Sequence, residues 1–216
     1  MLGVAAIMTA VLLAACGESS PAELRGTVLN PPQRAADFTL VDQFGESVSL
    51  SEKRGEVVVL TFLYTYCPDI CPVVASRLTD IHEQLSEDGD IVDAFSIIAI
   101  SVDPERDTVE RAHEYSAQYG MLSDWAYLVG DQDELSRIWD AYYVSPAPRQ
   151  GDKLEADPLH QDGSIDDLLD LIGAAYTVDH QAPVYVIDRE GMMRSVFTLP
   201  FSPEDIASDV RALLGR

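Results

Sequence analysis

Residues 56–72 read EVVVLTFLYTYCPDICP. The first nine, through Tyr64, are an almost unbroken β-branched, aliphatic and aromatic run, the pattern of a strand buried on both faces. From Ile70 the period changes. Ile70, Val74, Leu78, Ile81 and Leu85 recur at spacings of three and four, which predicts a helix with one apolar stripe, ending near Gly89. The chain therefore passes from strand to helix across Cys67 and Cys71, with Pro68 at the predicted helix start.

The same alternation extends outward from this junction. DFTLVDQFGESVSLSEKRG, 37–55, alternates apolar and polar residues around Gly45, as a short hairpin does. AFSIIAISVD, 94–103, reads as a second buried strand. DTVERAHEYSAQYG, 107–120, reads as a helix with Asp107 as N-cap, Glu110 at the third helical position and Gly120 as its stop. WAYLV, 125–129, is a short strand and DQDELSRIWDAYYV, 131–144, a helix. APVYVIDREGMMRSVFTL, 182–199, gives two strands turning at Arg189 to Gly191. SPEDIASDVRALL, 202–214, is a closing helix with Ser202 as cap and Pro203 in its first turn. Strands alternating with helices imply an α/β fold with a mixed central sheet, helices on both faces and an extra N-terminal hairpin. The closing hairpin and helix form the C-terminal half of a thioredoxin-like fold. Residues 145–175, polar and proline-bearing at first with a short helix at Ile165 to Ile172, read as an insertion at the rim.

The chain has 216 residues, and its first sixteen, MLGVAAIMTAVLLAAC, are nearly all apolar but too short for a permanent membrane-spanning helix. They read as an export signal, although no Lys or Arg precedes Arg25. Leu13-Ala14-Ala15-Cys16 resembles the lipobox of bacterial lipoproteins, which implies diacylglycerol on Cys16 and a chain anchored by lipid to the outer face of the cytoplasmic membrane. Residues 17–35, rich in Pro, Gly and Ser, are expected to be a flexible tether, and 36–216 a single domain. With 37 Asp and Glu against 14 Lys and Arg, the formal charge of −23 argues against nucleic acid or an anionic membrane surface as partner.

Cys67 just before a helical turn and Cys71 about one turn later can point their sulfurs to the same side. A disulfide, a redox pair and a pair of thiolates on one metal ion all fit that spacing. The positive end of the helix favours the thiolate that attack or ligation needs. Two thiolates suit Cu(I) or Zn(II), and a converging imidazole would complete a three-ligand copper site. Of the four histidines, His82 and His113 fall inside predicted helices and read as structural, and His160 lies in the insertion. His180, immediately before the strand VYVIDRE, falls beside the cysteine-bearing helix start in a thioredoxin-like fold.

Three segments, DFTLVDQFGESVSLSEKRGEVVVLTFLYTYCPDICP, SVDPERDT and YTVDHQAPVYVIDREG, resemble the Sco/SenC family of thioredoxin-like copper proteins, in the same order and over roughly residues 36 to 214. The resemblance implies copper, Cu(I) or Cu(II), bound by Cys67, Cys71 and His180. It also implies delivery of that copper to the copper-bearing subunit of cytochrome c oxidase or another acceptor, or maintenance of the acceptor's thiols. A copper metallochaperone need not turn over a substrate; in the thiol–disulfide alternative Cys67 attacks and Cys71 resolves. Asp179 reads equally as a residue orienting His180 and as a plain loop aspartate; Tyr64, Tyr66 and Tyr176 read first as core or rim packing and second as a wall of the site; Asp103, Arg106 and Asp107 read as turn and cap residues. Pro183, where thioredoxins place a cis-proline, is a candidate cis residue. The insertion before His180 is longer than the family pattern.

Overall fold

The computed structural model of the chain describes residues 23–89, 91–150, 176–179 and 181–215. In chain order the elements are β1 (Thr27–Arg34), β2 (Thr39–Val41), β3 (Ser47–Ser49), β4 (Val57–Leu63), α1 (Ile70–Ser86), β5 (Phe95–Ser101), α2 (Val109–Gln118), β6 (Ala126–Leu128), α3 (Gln132–Ala141), β7 (Ala147–Gln150), β8 (Tyr176–Asp179), β9 (Val184–Ile187), β10 (Met192–Phe197) and α4 (Pro203–Leu214). Six strands form one mixed sheet in the order β1-β10-β9-β4-β5-β6. Every residue of β4 is buried. Successive side chains of a strand point to opposite faces, so the sheet is covered on both, as the unbroken apolar run of 56–64 requires. β4 runs parallel to β5 from Val57↔Phe95 to Leu63↔Ser101 and antiparallel to β9. The β9 pairing covers Val58–Leu60, and β5 alone continues to Leu63 at the C-terminal end, from which the cysteine loop departs. The predicted hairpin is the separate β2–β3 pair, turning at Gly45, whose φ of 80° only glycine adopts without strain.

One boundary differs from the sequence reading. Residues 27–34, expected within the tether, form β1, which pairs antiparallel with β10 from Thr27↔Val196 to Arg34↔Met192. Long-range anchors hold it there. The Asp209 carboxylate of α4 accepts the amides of Arg25 (2.6 Å) and Gly26 (3.2 Å), and a Cβ at Gly26 would come within 2.6 Å of the Phe197 ring. The fold thus begins before Ala36, and Cys16 lies outside the described residues.

β7 and β8 pair antiparallel from Ala147↔Asp179 to Gln150↔Tyr176, so the two ends of the insertion are brought together. Its interior, including the predicted helix at Ile165–Ile172, lies outside the described residues. The candidate cis residue Pro183 is trans to Ala182, whereas the Asn30–Pro31 and Leu199–Pro200 bonds are cis. No helix among the described residues is long and apolar enough to cross a membrane.

Candidate functional site

β4 delivers the chain to Tyr64, and residues 64–69 turn it into α1, which starts at Ile70 rather than at Pro68. The Cys67 amide donates to the Tyr64 carbonyl at 3.3 Å, closing the turn, and the Cys71 amide donates to Cys67 Sγ at 3.3 Å. The pair converges as the three-residue spacing predicts, with Cys67 8% exposed and Cys71 fully buried. No disulfide joins them. Burial pushes the Cys71 thiol far above its ordinary pKa, and the adjacent Cys67 adds to the shift. The predicted stabilisation of a thiolate at the helix start is therefore outweighed at Cys71, because desolvation of a buried anion exceeds the pull of one helix end.

Tyr64 does wall the site. It is buried, its hydroxyl accepts the Val178 amide at 3.1 Å, and burial followed by the neighbouring cysteines holds its phenol protonated well above the usual range. On the outer side the Arg106 guanidinium lies 5.6 Å from the Tyr64 ring centre and 5.3 Å from that of Tyr66, and Arg111 lies 4.6 Å from Tyr66. Residue 178 belongs to β8, two positions before His180, and the Pro183 carbonyl accepts Thr61 Oγ1 of β4 at 3.0 Å. Both described flanks of His180 are thus tied to β4 or to the residue that follows it. His180, His160 and the side chains of Asp179 and Tyr176 lie outside the described residues. Among the described residues no three His, Cys, Asp or Glu side chains gather as a metal site.

His82 and His113 take the structural places expected of them. His82 Nδ1 is 3.8 Å from Asp124 Oδ2, with Nε2 at 3.3 Å from Ser86 Oγ and its ring 5.9 Å from that of Phe95. It lines a cavity of about 380 Å³ with Phe95 and Ala126, the first residues of β5 and β6, at the end of the sheet away from the cysteines. His113 sets its ring edge against Phe44 at 5.8 Å.

Asp107 is not the cap of α2. Thr108 is, its Oγ1 accepting the Arg111 amide at 3.2 Å. Asp107 is instead buried and accepts four hydrogen bonds: Oδ1 from the Thr65 amide (3.0 Å) and hydroxyl (2.6 Å), Oδ2 from Ser101 (2.6 Å) and Tyr127 (3.0 Å). Burial raises its pKa to about 6, partly offset by the bonds from Ser101 and Thr65. Asp103 fits the turn role, since its carbonyl accepts the amides of Arg106 and Asp107 and its carboxylate pairs with Arg106. Thr108, the next residue and equally able to cap, takes the place the sequence reading gave to Asp107, because Asp107 is buried.

Comparison with known proteins adds context to this geometry. A model of the SCO1/SenC family matches residues 27–215. An SCO2-like protein of Rickettsia felis is 31% identical over 171 residues, covering 79% of this chain and 72% of that protein. The SCO1 protein homolog of Bacillus subtilis is 32% identical over 138 residues, 63% of this chain and 67% of the other. The structure of Bradyrhizobium japonicum ScoI with copper bound superposes with a TM-score of 0.63 at 29% identity, covering 82% of this chain and 98% of that one. BsSco, described as a member of the Sco family of cytochrome c oxidase assembly proteins with a disulfide switch, superposes at 0.61 with 25% identity, over 86% and 96% of the two chains.

Proposed function

Because the chain belongs to the SCO1/SenC family, we propose that it is a copper metallochaperone holding Cu(I) or Cu(II) on Cys67, Cys71 and His180 and delivering it to the binuclear copper centre of cytochrome c oxidase. The observation that carries this reading is the contact between the Cys71 amide and Cys67 Sγ, which brings two soft donors together at one end of α1. Such a donor pair suits Cu(I), and an added imidazole extends the set to Cu(II). Burial keeps Cys71 a protonated thiol in the absence of metal, so loading exchanges its proton for copper. Three ligands leave room for a fourth donor from an acceptor, through which copper leaves by ligand exchange. Lipid on Cys16 would hold the site at the outer face of the membrane, close to a membrane-bound acceptor.

A competition titration with Cu(I) on the reduced full-length chain tests the ligand set. One copper should bind tightly to the wild type and at least tenfold more weakly to Cys67→Ser and to His180→Ala. Unchanged binding by both variants removes the assignment.

A second reading rests on the unequal exposure of the pair. Cys67, buried but still 8% exposed, can attack an acceptor disulfide while the fully buried Cys71 resolves the mixed disulfide. In that reading thiol exchange survives His180→Ala, and copper binding by the wild type is absent.

A further inference from the structure

The segment SVDPERDT, 101–108, is clasped onto the cysteine loop at two points. Arg106 lies over the rings of Tyr64 and Tyr66, and the next residue, Asp107, takes both the amide and the hydroxyl of Thr65 on one oxygen. Thr65 is two residues before Cys67, inside the turn that the Cys67 amide closes on Tyr64. The other carboxylate oxygen is fixed by Ser101 at the end of β5 and Tyr127 in β6, two strands that do not carry the cysteines. A carboxylate that is nearly water-free and accepts four donors has no freedom of its own, so whatever it holds inherits that rigidity.

We infer that Asp107 is a positioning residue for the cysteine pair: through Thr65 it fixes the loop so that Cys67 Sγ stays against the start of α1, where Cys71 meets it. The inference rests on Cys67 and Cys71 being the working pair, but not on copper being their cargo. It gives the DPERDT stretch a task beyond turning the chain into α2. A loosened loop lowers the effective concentration of one sulfur at the other, so a disulfide between them should close less favourably.

The experiment compares the metal-free full-length chain with Asp107→Asn, Thr65→Val and Ser195→Ala. It measures the equilibrium between the Cys67–Cys71 disulfide and the dithiol in glutathione buffers, together with amide exchange at Cys67 and Cys71. Thr65→Val removes the 2.6 Å bond without changing charge. Ser195→Ala removes a buried hydroxyl of equal length from the distant carboxylate of Asp209. The expected result is a disulfide about tenfold less favourable in Asp107→Asn, a potential about 30 mV less negative. A smaller change of the same sign is expected in Thr65→Val, with faster exchange of both cysteine amides in each and no change in Ser195→Ala. The inference is overturned if Thr65→Val stays within twofold of wild type, which would assign any Asp107 effect to charge, or if Ser195→Ala moves the equilibrium as far. Copper titration of the same proteins separates the outcomes, because loss of the chaperone reading would leave the disulfide measurements in place.

Discussion

Asp107 and Asp209 are both buried, and both are satisfied by hydroxyl and amide donors drawn from distant parts of the chain, yet they hold different kinds of structure. Asp209, on α4, gathers Ser195 of β10 and the amides of Arg25 and Gly26 at the entry to β1, tying the edge strand's start to its neighbour. Asp107 gathers two strand residues and the turn that carries Cys67. The difference shows that a buried carboxylate is as useful for aiming a loop as for closing a fold, and that its donors reveal which it does. Loss of the first should cost stability alone; loss of the second should also be read at the cysteines.

The strongest way to break that contrast is Asp209→Ala. It strands three donors, at about 1–3 kcal/mol each, so unfolding by denaturant should show a loss of about 3 kcal/mol or more. The disulfide equilibrium of Cys67 and Cys71 should nevertheless stay at the wild-type value, and a shift there would mean that the two carboxylates are not separate.

Acid titration sharpens the contrast from the other side. The folded pKa of Asp107, about 6, lies above its ordinary value of 3.8, so between these the native state binds more protons than the unfolded one. Stability contributed by the protonated group is present at low pH and lost as pH rises through about 4 to 6, by up to about 3 kcal/mol. The groups facing it are Asp103, Tyr127 and Cys71, beside the donors Ser101 and Thr65. The wild type should therefore lose stability relative to Asp107→Asn over this range in unfolding curves taken from pH 4 to 7. Parallel curves would refute the shifted carboxyl.

The smallest expected effect belongs to Tyr127→Phe. It deletes one of the four bonds to Asp107 on the side away from the loop, costing about 1 kcal/mol. Thermal unfolding should register it while the cysteine equilibrium does not. Equal shifts for Tyr127→Phe and Thr65→Val would show that the whole network, rather than Thr65, positions the pair.

Much of the fold was readable because β4 and β5 are buried on both faces and the helices carry clear stripes and caps. α3, for instance, has Asp131 and Glu134 in a reciprocal capping box. β1 was not readable. Its residues, TVLNPPQR, are exposed but for a half-buried Leu29, so no alternation marks them, and what fixes them is pairing with β10 and the hold of Asp209 on Arg25, 184 residues away, just before the strand. At the candidate site, the approach of Cys67 and Cys71 was legible from their spacing. The burial that raises the Cys71 thiol was not, because desolvation depends on what packs above a residue. Asp107 was misread as a cap for the same reason: its donors are spread over Thr65, Ser101 and Tyr127, and no local pattern joins them.

The outer strand β1 has a consequence for self-association. A sheet margin with free amides can template strands from other copies, and β1 occupies that margin with Pro31 and Pro32 in tandem and a shift of register between Val28 and Gln33. Proline has no N–H to offer and a bulge bends the strand, so an incoming chain finds no continuous ladder. At the opposite margin β6 is three residues long, and just beyond it Val129 bridges to Val41 of the hairpin. Among the described residues, neither margin of the sheet thus offers a continuous ladder to another copy.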